Sequence, residues 1–71
     1  MRPFNRIDRA QNLLRVLGWS FGDVGYPQDG RDAWQVHAHR DGEHIVTRAW
    51  TQGQAWDAAL RQAGIIERAA T

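Results

Sequence analysis

The chain changes hydrophobic period twice, and the changes mark its elements. In residues 5–17 apolar side chains recur at intervals of three and four, as Ile7, Ala10, Leu13, Leu14 and Leu17. That spacing is the buried stripe of an amphipathic helix. Asn5 suits the N-cap, and Asp8 sits in the first turn against the positive helix end. Gly18 falls where a left-handed residue stops a helix, and Trp19 is placed to fold back on Leu14.

From Trp34 to Trp50 the period is two. Trp34–His39 and Glu43–Trp50 alternate on either side of Asp41-Gly42, the pair preferred in a two-residue type I′ turn. The turn sets the register. It places Arg40 opposite Glu43, His39 opposite His44, Ala38 opposite Ile45, His37 opposite Val46, Val36 opposite Thr47, Gln35 opposite Arg48 and Trp34 opposite Ala49. One face then holds Trp34, Val36, Ala38, Ile45, Thr47 and Ala49, and is expected to carry the helices. The other holds Gln35, His37, His39, His44, Val46, Arg48 and Trp50. A slip of one residue would exchange the two sets.

Helical spacing returns after Trp50. Thr51-Gln52-Gly53-Gln54 has the form of a capping box, and Trp56, Ala59, Leu60 and Ala63 make a narrow apolar face. The expected helix is 51–63, with Gly64 as its stop, Ile65 covering Leu60, and a frayed tail over 67–71.

Residues 19–33 carry a mixed pattern. Trp19-Ser20-Phe21 alternates like a strand, and Val24 to Tyr26 extends it past a bulge at Gly22 or Gly25. Pro27 confines such a strand to a sheet edge. Gln28-Asp29-Gly30-Arg31 signals a turn. The reading is an edge strand near 19–25 and a looped connection into Trp34. Trp19, Phe21 and Tyr26 are expected in the core, with an exposed Tyr26-Pro27 loop tip touching a partner as the alternative. The result is one α+β domain over 1–71, in α-β-β-β-α order, with an antiparallel sheet and two helices on one of its faces.

Composition narrows the picture. At 71 residues the chain buries little surface, and with no Cys it has no disulfide or cysteine zinc framework to reinforce it. Four Trp, two Phe and one Tyr supply the burial instead. Self-association is another route to burial, so a homodimer is an option. No stretch is long and apolar enough for a membrane span or a signal region, which predicts a cytoplasmic protein. The net charge of +1 does not indicate nucleic-acid binding by itself. All nine basic residues are Arg, the better side chain for bidentate and stacked contacts.

The three His residues are the only candidates for chemistry. His39 and His44 oppose each other, with His37 two residues along the same face, and imidazoles so grouped are the residue type that binds Zn²⁺ or acts as a general base. No orienting carboxylate joins them: Asp41 lies near the turn, and Glu43 projects to the other face. There is no nucleophile elbow, phosphate loop or acidic metal cluster. No catalytic residue, metal or cofactor is expected. The outer face is read as a binding surface, with Arg48, Trp50, His37, His39, His44 and Tyr26 as its contacts; aromatic rings beside Arg are enriched at protein interfaces and also suit stacking on single-stranded nucleic acid. Arg2, Arg6, Arg9 and Arg15 are the alternative nucleic-acid contacts, or else plain solvated neighbours of the first helix's stripe.

The element order resembles that of double-stranded-RNA-binding domains. That family grips phosphates with a Lys-rich start to its last helix. Here the matching residues are Gln52, Gly53, Gln54 and Asp57, which argues against duplex RNA. The pattern Trp34-x-Val36, Arg40-Asp41-Gly42, Ile45, Thr51 and Ala55-Trp56-x-x-Ala59 is similar to small proteins encoded by phages and other mobile elements. Anti-CRISPR and other anti-defence proteins are among them. The resemblance implies a non-enzymatic protein that binds and inhibits or modulates a host protein or ribonucleoprotein complex in the host cytoplasm. A small nucleic-acid-binding accessory protein is the alternative.

Overall fold

The structure is a computed structural model that describes residues 5–70. Helix α1 is Arg6–Val16, strands β1, β2 and β3 are Ser20–Gln28, Arg31–Arg40 and Glu43–Ala49, and helix α2 is Gln52–Ala70. The strands form one antiparallel sheet in the order β1-β2-β3. The expected α-β-β-β-α architecture is the observed one.

Local chemistry accounts for each boundary. The Asn5 side chain accepts the Asp8 backbone N–H at 2.8 Å, which caps α1. At its other end Gly18 takes φ +90°, while the Gly18 and Trp19 N–H groups donate to Arg15 and Leu14 carbonyls at 3.0 Å each. That pair of bonds is the Schellman stop expected there. Thr51 Oγ1 accepts the Gln54 N–H at 3.2 Å to begin α2.

The β2–β3 register is the one the Asp41-Gly42 turn predicted, from Arg40↔Glu43 to Trp34↔Ala49. The β1–β2 connection is not the expected loop. It is a second two-residue turn, with Asp29 at φ 52° and Gly30 at φ 75°, the same left-handed pair as Asp41 and Gly42 at 46° and 84°. Strand β1 therefore extends to Gln28 rather than stopping near 25, with no bulge: Ser20↔His39 through Gln28↔Arg31 is unbroken. Pro27 is accommodated because β1 is an edge strand. Tyr26 lies within β1, so it is not at a loop tip.

Helix α2 also departs from expectation. It passes through Gly64 and includes residues 67–70 of the expected frayed tail; Thr71 lies outside the described residues. Ile65 is not a cap over Leu60 but a helical residue 46% exposed. The extra turns are held by tertiary contacts. Ala63 is buried and Ile66 packs on the core. Glu67 accepts a hydrogen bond from Arg40, whose guanidinium also donates to Glu43 Oε1 at 2.9 Å and to the Leu17 carbonyl at 2.8 Å. It further stacks over Trp19, 4.5 Å from the ring centroid. Hydrogen bonds to Glu67 and then Glu43 raise the Arg40 pKa above its ordinary value. With its pKa raised, the Arg40 guanidinium stays charged across the neutral range, and its side of this junction does not change there.

Both helices pack on one side of the sheet. Arg6 meets Asp57 at 3.4 Å near one end, and the Arg40 cluster joins Leu17 to Glu67 near the other, so α1 and α2 run side by side in the same direction. Leu14, Val36 and Trp56 are the largest fully buried side chains. Phe21 meets Trp56 edge to face at 5.4 Å. Asp23, on the inner face of β1 beside Val36, accepts from Trp56 Nε1 at 3.0 Å and Gln52 Nε2 at 2.7 Å. Thr47 Oγ1 donates to the Ala55 carbonyl at 2.8 Å. These polar bonds fix the start of α2 over the sheet.

Candidate functional site

With both helices on one side, no helix or strand among the described residues lies over the other sheet face. Strand phase decides what it presents. Positions 21, 23 and 25 of β1 align with 38, 36 and 34 of β2, and so face the core. Ser20, Gly22, Val24, Tyr26 and Gln28 face outward with His39, His37, Gln35, Ala33 and Arg31. From β3 come His44, Val46 and Arg48, with Trp50 just beyond the strand. The predicted phase is correct: Val36 and Ala38 are buried, whereas His37 and His39 are exposed.

The outer face divides into two ends. At one end His39 opposes His44, and His37 lies against Gly22 so closely that a Cβ there would come 2.9 Å from His37 Nε2. Val46 beside them is 55% exposed. Among the described residues no three His, Asp or Glu side chains are grouped to hold a metal ion.

At the other end Tyr26, Ala33 and Trp50 form a row across the sheet, about four residues or 13 Å from His37 along β2. Ala33 is only 4% exposed although it lies outside the main core cluster. Its partner Tyr26 and neighbouring Trp50 shield it, and both rings line an open cavity of 220 Å³ with Gln28, Ala33, Arg48 and Ala49. The Arg31 guanidinium stacks on Trp50, 4.1 Å from the ring centroid, while Trp50 itself stays 40% exposed. Arg48 donates from Nε to Gln35 Oε1 at 2.9 Å, which aligns its guanidinium along the face.

The structure thus brings Tyr26, Arg48 and Trp50 round one cavity, which His37, His39 and His44 do not line, although His37 is one outward position from Arg48. Tyr26 is not a core residue, contrary to expectation, because its phase on β1 is outward. Arg31, Ala33 and Gln28 were missed as site residues. The signal was present in Asp29-Gly30: treated as a tight turn like Asp41-Gly42, it sets Tyr26 opposite Ala33 and Gln28 opposite Arg31.

The alternative Arg set is on the other side of the molecule. Arg6 pairs with Asp57, Arg15 lies 5.6 Å from the Phe21 ring centroid, and Arg9 is exposed on α1. The helix layer separates them from the outer sheet face, so they and the hairpin do not make one surface. Arg2 lies outside the described residues. No helix among the described residues is long and apolar enough to cross a membrane. Compared with known proteins, the chain matches no family model, no curated protein and no solved structure.

Proposed function

We propose that this is a non-enzymatic binding protein that docks the uncovered sheet face on a protein or ribonucleoprotein complex of a host cell and inhibits or modulates it, as phage-encoded anti-defence proteins do. The observation that carries the reading is the row Tyr26-Ala33-Trp50 with Arg31 and Arg48 beside it. Rings and guanidinium groups fixed on a rigid sheet are the usual anchors of protein interfaces, because they bury large area at small cost in side-chain freedom. The start of α2 supports the same reading against duplex RNA, since Asp57 there is engaged by Arg6 and no Lys is present.

Affinity capture from host lysate tests the proposal. The wild-type chain and an Arg9→Glu variant in the helix layer should recover the same partner, and an Arg48→Glu/Trp50→Ala variant should lose it. Equal recovery by all three would remove the sheet face from the account. The nucleic-acid reading predicts instead an affinity that falls steeply as salt rises, through counterion release.

A further inference from the structure

We infer that the cavity between Tyr26 and Trp50 receives an apolar or aromatic side chain of a protein partner, flanked in that partner by an Asp or Glu which Arg48 binds. The inference rests on the sheet face being the docking surface, and it specifies the chemistry of what docks.

Charge complementarity is the first argument. The chain carries eight acidic and nine basic residues, yet none of the strand positions with outward phase is an Asp or Glu. Asp23, Asp32 and Glu43 have the inward phase, Asp29 and Asp41 occupy the two turns, and Asp8, Asp57 and Glu67 are on the helices. Arg31, Arg48 and the three His remain on the outer face. A nearly neutral protein therefore presents one surface whose formal charges, from Arg31 and Arg48, are all positive. An anionic partner is favoured there, and a basic one is rejected.

The two outward guanidinium groups differ from the other paired Arg side chains. Arg6 and Arg40 bind carboxylates within the fold. Arg48 spends only Nε on Gln35, and Arg31 stacks on Trp50; neither has a carboxylate partner among the described residues. Both are oriented by their neighbours while keeping donors for an incoming carboxylate, which a guanidinium binds through two parallel bonds.

Size and layout then select the occupant. The cavity of 220 Å³ falls below the range of about 300–1,000 Å³ usual for cofactor and drug-sized sites. It has room for one side chain against the Ala33 floor. Arg48 lines the cavity, Arg31 stacks on the Trp50 ring that also lines it, and Asp29 and Asp41 occupy the turns at the two ends of the sheet. A nucleic-acid strand needs several cations that follow its phosphates, whereas a carboxylate beside an anchoring side chain needs only the one guanidinium at the cavity wall.

A random dodecapeptide library displayed against the wild-type chain tests this, with counter-selection on a Tyr26→Ala/Trp50→Ala variant of verified fold. The peptides recovered should carry an aromatic or large aliphatic residue beside Asp or Glu. Their affinity should fall about tenfold to a hundredfold on Arg48→Gln, the loss of a charge-assisted pair. Peptides that need Tyr26 and Trp50 but lack acids, or ignore Arg48→Gln, would overturn the acidic anchor and leave the docking face standing. Peptides recovered equally by the counter-selection variant would overturn both. Displacement of the selected peptide by a single-stranded thymidine oligonucleotide at lower concentration would make phosphate the preferred anion and also overturn the inference.

Discussion

The two faces of the sheet come from the same three strands and differ by one residue of phase. The inner face is covered by the helices over Val36, Ala38 and Ile45 and crossed by directed polar bonds: Asp23 to Trp56 and Gln52, Thr47 to Ala55, Arg40 to Glu43 and Glu67. The outer face has rings and guanidinium groups of comparable size, but they contact one another and open on solvent. Two Trp residues show the contrast best. Trp56 is fully buried with its N–H satisfied by Asp23, and Trp50 is half-exposed under a stacked Arg31. Side chains of equal hydrophobicity hold the fold on one face and stay open to solvent on the other.

The sharpest way to break this comparison is to truncate both rings. Trp56→Ala should cost about 3–5 kcal/mol by cavity formation, enough to unfold much of so small a domain in a thermal or denaturant melt. Asp23→Ala comes next, at about 1–3 kcal/mol, because it leaves the Trp56 N–H unsatisfied in the core. Gly18→Ala should cost about 1–2 kcal/mol, since φ +90° is strained for any residue with a Cβ. Trp50→Ala should cost about 1–2 kcal/mol, the worth of one exposed cation–π contact and part of the apolar cover over Ala33, with an unchanged amide spectrum at the inner-face residues. Gly64→Ala should stabilise the chain by about 0.5–1 kcal/mol, because the position is helical and a Cβ there meets nothing within 4 Å. A stability loss at Trp50 matching that at Trp56 would abolish the distinction between the faces.

The two Gly helix stops expected from sequence teach where local pattern suffices. Gly18 is followed by Trp19-Ser20-Phe21-Gly22, which does not continue a helical stripe, and the chain turns there as expected. Gly64 is followed by Ile65, Ile66, Glu67, Arg68 and Ala69, which do continue one, and Arg40 reaches over from β2 to bind Glu67. A contact spanning that separation has no local signature, so the motif alone ended α2 too early. The two Asp-Gly turns carry the opposite lesson. One rule closes both, and the β1 hairpin was legible wherever Pro27 and the scattered Gly residues were weighed as edge-strand features rather than breaks. The outward row of His37, Arg48 and Trp50 followed from the first turn. The Tyr26–Ala33–Trp50 cavity needed both.

Site-specific photocrosslinking in cells that carry the partner tests the central claim most directly. A photoreactive phenylalanine analogue replaces either Val46, on the outer sheet face, or Val16, on α1; Val16 is the more exposed of the two, at 75% against 55%. If the sheet face is the docking surface, the Val46 position gives a discrete partner adduct and the Val16 position gives none. An adduct at Val16 with none at Val46 would contradict the account.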